Sequence, residues 1–410
     1  MEIYLVGGAV RDRLRGLTPK DSDYVVVGST PEKMISNGYS RVGADFPVFL
    51  HPDTKDEYAL ARCESKVGEG YSGFTSEWEG VTLEQDLKRR DLTVNSMALS
   101  KAHELYDPYN GQQDIEDKIL RHTSDAFSED PVRVLRIARL LARFGGEWTV
   151  APETYALCQK VAWKEFKVLT AERVFKELDK ALSEPHPELF FKFLYMLDFH
   201  WFKELWSLKG IPQPITHHPE NCTFDHTMLC LQAGVNMSAS KQELFAILCH
   251  DYGKAPCWKE RGNLHGHEET GVPYVNGFCD RLKVPNHYRD LAVKVCEHHQ
   301  RGHKALDMQP KSVHNLFKAL DCFRNPSILR SFLLCNKADA RGRTGLENAA
   351  YKQANYLPEC HLAAIGVDTA AVAKRCSEKG FTGEQIGDTI RVEQINAIRG
   401  VKNRWKTQKS

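Results

Sequence analysis

The sequence predicts an α+β protein, in which a small mixed sheet near the N-terminal end is followed by all-helical domains. Within about the first 125 residues, short apolar runs rich in β-branched or aromatic side chains alternate with helical stretches, as at residues 3–6, 21–27 and 46–50. Farther along, the apolar positions recur with the 3.6-residue period of helices. At 410 residues the chain exceeds one ordinary core, so about two to four domains are expected.

The composition describes a globular protein rather than a disordered one, with 42% hydrophobic and 27% charged residues. The 55 basic and 54 acidic side chains leave a net charge of +1, which argues against a histone-like binder. The twelve cysteines never form a C-x-x-C pair, so a zinc ribbon is not supported and free thiols are expected. Residues 1–10 lack a signal-peptide pattern and no apolar run is long enough for a bilayer, so we expect a cytoplasmic protein without membrane partners.

A glycine pair marks the first candidate binding element. The predicted strand at residues 3–6 runs into Gly7 and Gly8, and a helix is expected over residues 9–17. Backbone N–H groups at a glycine turn that opens a helix, here including that of Gly8, form a phosphate cradle. Arg11, just inside that helix, can add a charge-assisted contact to a phosphate oxygen.

Two aspartates follow on the second predicted strand. Side chains alternate along a strand, so Asp21 and Asp23 are expected on one face. Two carboxylates beside a phosphate cradle predict a pair of Mg²⁺ ions for in-line phosphoryl transfer, whereas the simpler alternative is a polar turn with solvated aspartates. Glu57 or Glu64 could supply a third carboxylate, and the sequence does not choose between them. Residues 66–80 are expected to form a loop, which either orders over a substrate or stays a plain surface loop.

These two strings, GGAVRD at residues 7–12 and KDSD at residues 20–23, resemble the nucleotidyltransferase signature of the DNA polymerase beta superfamily. They are similar to its tRNA nucleotidyltransferase and poly(A) polymerase branch. The string RRDLTVNS at residues 89–96 resembles the RRD-x-T-x-N-A/S motif of the tRNA nucleotidyltransferases. The resemblance implies that Arg90, Asp91 and Asn95 bind the triphosphate and ribose of a nucleotide. Arginine pairs bidentately with phosphate, while the aspartate and asparagine offer groups for ribose hydroxyls.

A second stretch with site character begins at residue 129. Pro131 suits the first turn of a helix. By the 3.6-residue period, four arginines then fall on one stripe: Arg133, Arg136, Arg139 and Arg143. A solvated basic face is the bland interpretation. The string E-D-x-x-R-x-x-R resembles the family's nucleotide-templating motif, however, which implies that Asp130 and the first three of these arginines contact the nucleotide.

The base is expected to be chosen by Asp130 and Arg133. Cytosine and adenine both present an exocyclic amino donor next to a ring-nitrogen acceptor, whereas uracil and guanine present a carbonyl next to an N–H. An acceptor from Asp130 and a donor from Arg133, on neighbouring turns of one helix, therefore admit C and A without a nucleic-acid template. Residues 172–177 resemble the family's E-R-V-x-x-E element, and we expect them to brace the helix without chemistry.

Histidines gather in the second half of the chain. His250-Asp251 ends an apolar stretch, with His226 before it and Asp339 after it. The pattern resembles the H…HD…D signature of HD-domain phosphohydrolases, which implies that these four residues hold a divalent metal. Imidazole ligands favour Ni²⁺ or another transition metal, such as manganese or cobalt, over Mg²⁺. His267 is a further candidate ligand, and an HD fold that has lost its metal is the alternative.

Two further stretches carry structural expectations only. The aromatic-rich residues 188–202 are expected to belong to a core. The basic residues 402–409 are expected to form a frayed, solvated end, although one aromatic among them offers a contact to RNA.

Together the motifs resemble the bacterial CCA-adding tRNA nucleotidyltransferases that carry a fused HD domain, over almost the whole chain. The resemblance implies four domains: a nucleotidyltransferase head (1–125), a helical neck (126–205), an HD domain (222–330) and a helical, tRNA-contacting tail (331–410). The implied reaction is stepwise addition of C, C and A to the tRNA 3′ end, with pyrophosphate released. The HD domain implies phosphatase, 2′,3′-cyclic phosphodiesterase and 2′-nucleotidase activities.

The implied partners are the acceptor arm and 3′ end of tRNA, together with ATP and CTP, and the chain is expected as a monomer or homodimer. Three alternatives stay open. A bacterial poly(A) polymerase shares the head motifs, although the HD pattern argues against it. A mainly hydrolytic HD enzyme with a nucleotide-sensing head would not need Asp21, Asp23, Arg90 and Asp130 intact. A non-catalytic RNA-binding protein would need neither metal site.

Overall fold

The computed structural model describes residues 1–19, 21–42, 48–66, 74–165, 169–215 and 218–407, without the side chains of residues 64–66, 74–76 and 162–165. The chain divides into two compact units. The first comprises Met1–Glu177 and Leu189–Phe199, and the second comprises Leu178–Glu188 and His200–Ser410. The predicted α+β class is confirmed, because the strands lie in the first unit and the second is helical.

The first unit is built on a mixed sheet. In the described residues its strands are β1 (Glu2–Val6), β2 (Asp23–Val27), β3 (Ser40–Val42), β4 (Val48–Leu50), β5 (Glu57–Leu60), β6 (Cys63–Lys66), β7 (Phe74–Glu77), β8 (Ala98–Leu99), β9 (Leu105–Tyr106), β10 (Ile119–Leu120) and β11 (Thr149–Val150). Seven of them form one sheet in the order β3-β4-β5-β2-β1-β8-β9. Only the pairing of β2 with β5 is parallel in this sheet.

Helices cover this sheet and extend the unit. They are α1 (Gly8–Leu14), α2 (Pro31–Ser36), α3 (Leu83–Lys88), α4 (Gly111–Glu116), α5 (Val132–Phe144), α6 (Pro152–Glu165), α7 (Ala171–Ala181) and α8 (Pro187–Met196), of which α7 and α8 cross the unit boundary. Short 3₁₀ helices lie at Thr93–Asn95, Asp125–Glu129 and His200–Phe202. The Thr30 side chain caps α2 by accepting the Lys33 N–H, and Pro31 occupies the first position of the helix.

The register of β1 and β2 positions the first motif. Val6, the last residue of β1, pairs with Asp23, the first residue of β2. Gly7 follows Val6 directly with a φ of 70°, a left-handed conformation that glycine adopts without strain. Ala9 and Val10 of α1 then pack with Leu5 and Met97 in one buried cluster. The glycine turn and the start of β2 therefore lie at the same end of the sheet.

Several predicted boundaries are wrong in detail. β2 begins at Asp23 rather than at residue 21, so Asp21 lies in the bend before the strand. α1 ends at Leu14 rather than at residue 17, because Gly16 turns the chain with a φ of 73°. Residues 74–77 of the expected loop form β7, which pairs with β6; residues 67–73 lie outside the described residues, as do positions 46 and 47 of the expected strand at 46–50.

The second unit consists of packed helices. They are α9 (Lys203–Trp206), α10 (Thr223–Asn236), α11 (Lys241–Cys249), α12 (Lys254–Arg261), α13 (His267–Leu282), α14 (Asn286–His303), α15 (Pro310–Leu320), α16 (Ser327–Arg341), α17 (Gln353–Ile365), α18 (Thr369–Glu378) and α19 (Gly383–Thr407). A capping box between Ser240 and Glu243 starts α11, and every residue from Glu243 to Cys249 is buried. A helix buried on all sides lies within a core, so the residues that follow α11 also lie inside.

A close backbone approach follows α11. A Cβ on Gly253 would stand 1.9 Å from the carbonyl oxygen of His267, which begins α13. A residue with a Cβ atom would not fit at this position. This glycine therefore lets the turn after Asp251 contact the start of α13.

The described part of the C-terminal end is helical through Thr407 rather than frayed, contrary to expectation, and residues 408 and 409 lie outside the described residues. Ile398, Val401 and Lys402 of α19 are buried, and Lys402 Nζ lies 2.7 Å from the carbonyl oxygen of Met308. Trp405 Nε1 donates to Glu359 at 2.9 Å. Buried aromatic residues between 188 and 202, in contrast, are core as expected: Phe190, Phe191, Phe193, Phe199 and Phe202.

All twelve cysteines are free, as expected. In the part of the chain that the structure describes, no helix is long and apolar enough to cross a bilayer.

Candidate active sites

The first candidate site lies at the glycine turn between β1 and α1. Two guanidinium groups adjoin it: a Cβ on Gly7 would stand 3.2 Å from Arg90 Nη1, and a Cβ on Gly8 would stand 3.2 Å from Arg11 Nη2. Arg90 is oriented by a salt bridge to the buried Asp86 at 3.1 Å. A glycine turn that opens a helix beside two guanidiniums has the character of an anion site.

Three carboxylates lie close to this turn. Asp23 begins β2, and in the parallel pairing of β2 with β5 its register partner is Glu57. Partial burial and the charge of Asp21 raise the pKa of Asp23, and they outweigh the opposing charge of Arg90. Carboxylates that repel each other in this way favour a bound cation. The side chain of Glu64, the other candidate third carboxylate, lies outside the described residues.

A polar network joins the RRD segment to helices α1 and α5. Arg11 Nη1 donates to Asn95 Oδ1 at 2.6 Å, Asn95 Nδ2 donates to Asp91 Oδ1 at 3.1 Å, and Arg136 Nε lies 2.7 Å from Asp91 Oδ2. Burial alone would raise the pKa of Asp91, but Arg136 and the hydrogen bond from Asn95 lower it to about 2. The structure therefore brings together Arg11, Asp91, Asn95 and Arg136, four residues that the sequence assigned to nucleotide binding.

The other arginines of α5 are held by protein groups. Arg139 Nε lies 2.8 Å from Glu177 Oε2, and Arg143 Nη2 lies 2.7 Å from Asp12 Oδ2. Arg133 donates to two carbonyl oxygens, those of Ala126 at 2.9 Å and Arg89 at 2.8 Å. Every arginine of the stripe therefore contacts a protein group, although Arg136 is also exposed to solvent.

Asp130 lies before α5, not on it. Pro131 caps the helix, and Asp130 has an extended backbone, so the expectation that Asp130 and Arg133 occupy neighbouring turns of one helix is wrong. Proline disfavours helical backbone at the residue before it, which accounts for the difference. Asp130 Oδ1 accepts the Val132 N–H at 3.1 Å, and Oδ2 accepts from Arg173 at 2.8 Å.

The expected brace is confirmed. Arg173 of α7 contacts Asp130, and Glu177 of α7 contacts Arg139. This one helix therefore holds both ends of the stretch at residues 130–139. The two contacts are one helical turn apart on α7, which matches the four-residue spacing of the brace motif.

The second candidate site lies inside the second unit, where the four predicted ligands meet. His226 Nε2 on α10 is 3.0 Å from Asp339 Oδ1 on α16. His250 Nε2 is 3.2 Å from Asp251 Oδ2 and 3.9 Å from Asp339 Oδ2. None of the four residues is more than 5% exposed.

The hydrogen bonds of the imidazoles show which ring atoms are available. His226 Nδ1 lies 3.0 Å from the carbonyl oxygen of Gly342, and His250 Nδ1 lies 2.6 Å from that of Ile247. A carbonyl oxygen only accepts, so each Nδ1 carries a proton, and each Nε2 is the ring atom that faces the carboxylates. Glu220 Oε1, 3.0 Å from His226 Nδ1, strengthens this orientation. Imidazole nitrogens and carboxylate oxygens that face one another form the donor set of a cation site.

A second group of imidazole nitrogens, from His267 and His299, lies beside the first. His267 Nε2 and His299 Nε2 are 3.1 Å apart, and they lie 3.4 Å and 3.7 Å from Asp251 Oδ1. Their Nδ1 atoms donate to the carbonyl oxygens of Leu264 and Cys296. Asp251 therefore lies between two sets of nitrogen donors. The sequence treated His267 as a minor candidate, and its position here is as close as those of the four predicted ligands.

The ionisation of the cluster suits metal ligands. Burial opposes charge, but His250 and Lys254 hold the pKa of Asp251 well below its usual range. His303 and His226 do the same for the pKa of Asp339. Burial and the neighbouring imidazoles lower the pKa of His299 far below its usual value. Ionised carboxylates and the neutral imidazole of His299 are in the protonation states that bind a divalent cation. Burial opposes charge on His226, but Cys230 and the hydrogen bond with Asp339 raise its pKa, so a cation bound there would displace a proton from this ring.

A cavity of about 580 Å³ opens beside this cluster. Its wall includes Lys254, whose Nζ lies 2.7 Å from Asp251 Oδ2 and 2.6 Å from Gln213 Oε1. Trp258, one turn farther along α12, is 37% exposed and also lines the cavity. Further lining residues include His218, His267, Gln300 and Lys304. A cavity with lysines at the cluster and an aromatic ring at its rim has the features of a phosphoester pocket.

Several residues of both sites were missed from the sequence. They are Asp12, Asp86, Glu220, Cys230, His299 and His303. The adjacent pair His298-His299 and the histidine four residues later were visible, but only the packing of α14 shows that His299 and His303 face the cluster. Asp12 stands in the GGAVRD string but was given no role, and Asp86 had no signal, because acidic residues on helices are common.

Both the sequence and the fold are similar to those of known proteins. A family model described as the Poly A polymerase head domain matches residues 3–121. The Multifunctional CCA protein of Thioalkalivibrio sulfidiphilus (strain HL-EbGR7) is 45% identical over 411 residues, which cover 99% of this chain and all of that protein.

The fold is similar to solved CCA-adding enzymes. The Bacillus stearothermophilus enzyme in complex with CTP has a TM-score of 0.64 at 19% identity, covering 99% of this chain and 94% of that one. The Thermotoga maritima enzyme complexed with tRNA has a TM-score of 0.60 at 16% identity, covering 100% and 92%. A complex of a CCA-adding enzyme with ATP has a TM-score of 0.63 at 17% identity, covering 100% and 92%. At these identities the likeness shows the fold alone.

Proposed function

The chain belongs to the family of the CCA-adding tRNA nucleotidyltransferases, and from that premise we propose that it builds and repairs the 3′-terminal CCA of tRNA. It transfers CMP and AMP from CTP and ATP to the terminal hydroxyl without a nucleic-acid template, and pyrophosphate leaves. The observation that carries the proposal is the meeting of the glycine turn, Arg90 and Asp23 at one end of the sheet. The full-length identity to a Multifunctional CCA protein supports CCA rather than a run of A as the product.

Asp21, Asp23 and Glu57 form the metal-binding edge in this proposal. The family uses divalent metal, and carboxylate oxygens suit Mg²⁺. The register of β2 with β5 favours Glu57 as the third carboxylate. Bound there, Mg²⁺ would activate the attacking hydroxyl and offset the charge of the leaving pyrophosphate. Arg90, beside Gly7, binds the triphosphate and keeps it in line with these carboxylates.

The ribose and the base are recognised by the RRD segment and α5. We assign the ribose to Asp91 and Asn95, which Arg11 and Arg136 hold in place. A carboxylate has about four lone-pair sites and a guanidinium has five donors. Two acceptor sites of Asp130 and two donors of Arg133 are used within the protein, so each keeps groups for a base. Their protein contacts fix the acceptor and donor that admit C and A.

The test offers a tRNA lacking its CCA end, with all four nucleoside triphosphates and Mg²⁺, and sequences the product. The proposal requires C, C and A, followed by arrest. A matched tRNA that already ends in CCA serves as the control and should not be extended. A run of A on either RNA would favour the poly(A) polymerase alternative, and no incorporation at all would refute nucleotidyl transfer by this chain.

The histidine cluster supports a second activity, hydrolysis of phosphoesters by an HD domain. The observation that favours it is the set of imidazole Nε2 atoms that face Asp251 and Asp339 beside a cavity with Lys254. His226, His250, Asp251 and Asp339 would hold Ni²⁺ or another transition metal, which would supply an activated water. His267 and His299 add a second group of donors around Asp251. We propose 2′,3′-cyclic and 2′-phosphates at RNA ends as substrates.

This activity is tested by hydrolysis of 2′,3′-cyclic AMP in the presence of Ni²⁺, Co²⁺, Mn²⁺ or Mg²⁺. The proposal requires hydrolysis that chelation removes and that a transition metal restores better than Mg²⁺. Hydrolysis that persists in a metal-free preparation would contradict it.

We also propose the four-domain division at residues 1–125, 126–205, 222–330 and 331–410, with the acceptor arm of tRNA contacting the last. The last boundary falls within α16, and Asp339 on this helix belongs to the histidine cluster, so the HD domain of this proposal also needs α16 through Arg341. The described remainder of the tail carries the helices α17, α18 and α19. Crosslinking of tRNA to the tail is the direct test.

A further inference from the structure

Cys230 lies against the histidine cluster. It follows His226 by one turn of α10, and its side chain is fully buried. Its Sγ is 3.3 Å from His226 Nε2, the ring atom that faces Asp339. Gly342 makes room for this arrangement, because a Cβ there would stand 2.5 Å from Cys230 Sγ.

The donor atoms converge on one point. Among the residues that the structure describes, donor atoms of His226, Cys230, His250 and Asp339 all lie within 4.8 Å of one another. His250 Nε2 is buried within this group and has no hydrogen-bond partner in the described part of the chain. An unpartnered ring nitrogen directed at a thiol, an imidazole and a carboxylate is explained by a shared cation.

The separation between Cys230 and His226 fits two ligands of one metal ion. With bond lengths of about 2.0–2.1 Å to imidazole nitrogen and about 2.3 Å to thiolate sulfur, two ligands of one ion stand roughly 3.1–3.5 Å apart at angles between square and tetrahedral. The separation of Cys230 Sγ and His226 Nε2, 3.3 Å, falls in this interval. The competing explanation is a simple hydrogen bond from the thiol to the imidazole, which needs no metal.

We propose that Cys230 is a thiolate ligand of the cation held by His226, His250 and Asp339. The inference rests on the proposed metal site and deepens it, because it names the class of metal. A thiolate selects thiophilic ions such as Co²⁺, Ni²⁺ or Zn²⁺ and disfavours Mg²⁺, which binds oxygen ligands. On binding, the thiol proton passes to solvent and a metal–sulfur bond forms, with no change of oxidation state.

The test is optical. The full-length protein is stripped of metal and titrated with Co²⁺ alone, and the near-ultraviolet absorption is recorded. A thiolate ligand produces a sulfur-to-cobalt charge-transfer band, which imidazole and carboxylate ligands do not. The wild-type protein should show this band with one equivalent of Co²⁺, and Cys230→Ala should lose it. Loss of the ligand should weaken Co²⁺ binding by at least roughly tenfold, the lower end of the effect of removing even an outer-shell partner.

The matched control is Cys335→Ala. Cys335 is also buried, precedes Asp339 by one turn of α16, and donates to the carbonyl oxygen of Glu243 rather than facing the cluster. This variant should keep the band and the affinity of the wild type. Cys230→Ser, which retains a small polar side chain, serves as the second variant if Cys230→Ala unfolds.

The outcomes separate this inference from the proposal beneath it. Tight Co²⁺ binding to the wild type without a charge-transfer band would refute the role of Cys230 and leave the metal site intact. A band that survives in both Cys230 variants would also refute it. Failure of the wild type to bind Co²⁺ at all would refute the metal site itself.

Discussion

Replacing Asp130 by alanine is expected to relax the choice of base. Asp130 presents a carboxylate at the start of α5, where two protein donors fix its position, the Val132 N–H and Arg173. The variant removes this acceptor and leaves the carboxylates at Asp21 and Asp23 unchanged. Nucleotide addition should therefore continue, although with less discrimination.

The size of the expected change in base discrimination follows from the groups of the base and of Asp130 that face one another. In the wild-type protein, uracil would set a carbonyl oxygen against the Asp130 carboxylate, so this carbonyl would be taken out of water without a donor. An unsatisfied buried polar group costs about 1–3 kcal/mol. At about 1.4 kcal/mol per factor of ten, the penalty corresponds to roughly 5- to 150-fold discrimination. The ratio of UTP to CTP incorporation in Asp130→Ala should rise by a factor in this range.

The assay is a competition among CTP, ATP, UTP and GTP on a tRNA that lacks its terminus, read by sequencing single additions. Arg173→Met is the matched control, since it removes the contact on Oδ2 and keeps the carboxylate. It should slow addition while keeping more of the preference for C and A than Asp130→Ala. If Asp130→Ala merely slows addition and keeps the wild-type preference, the base is chosen by a residue of α5 and not by Asp130.

Three further predictions concern pH, the separation of activities and the cavity. The folded pKa of Asp91 lies below its unfolded value, so its ionised form stabilises the fold above about pH 4, and this contribution of roughly 2 kcal/mol is lost as the pH falls toward 2. Urea unfolding should show that Asp91→Asn loses less stability than the wild type between pH 5 and pH 2.5; equal slopes would contradict the assignment. His250→Ala should abolish hydrolysis of 2′,3′-cyclic AMP and leave CTP incorporation largely intact, whereas parallel loss of both in a folded variant would mean a single site. Trp258→Ala should raise the KM for 2′,3′-cyclic AMP several-fold but not for glycerol 2-phosphate, which has no base; an unchanged KM for both would exclude stacking on Trp258.

Local motifs made much of both sites predictable from the sequence. The glycine pair, the two aspartates and the His-Asp pair carry their chemistry in adjacent residues, so their residue types and spacing were sufficient. The proposal that Glu57, and not Glu64, is the third carboxylate rests on the register of β2 with β5. No local sequence pattern contains this register. Likewise, His299 and His303 needed the orientation of α14 against α16.

The basic clusters show why charge patterns alone mislead. The arginines of α5 looked like a single stripe, yet each of Arg133, Arg136, Arg139 and Arg143 contacts a different protein group. Lys402 looked like part of a solvated end, yet it is buried against backbone carbonyls. Long cationic side chains satisfy buried acceptors as readily as they meet solvent, and only tertiary packing distinguishes the two.

The most direct test of the account is CTP and ATP incorporation into truncated tRNA by Asp21→Ala and Asp23→Ala, prepared from a host freed of its own CCA-adding enzyme. Both variants should remain folded, with unchanged circular dichroism, and both should lose nucleotide addition because the paired carboxylates hold the metal. Hydrolysis of 2′,3′-cyclic AMP by the same preparations should persist, since the histidine cluster is unaltered. Addition that stays above a small fraction of the wild-type rate in either variant would contradict the placement of the catalytic centre at the start of β2.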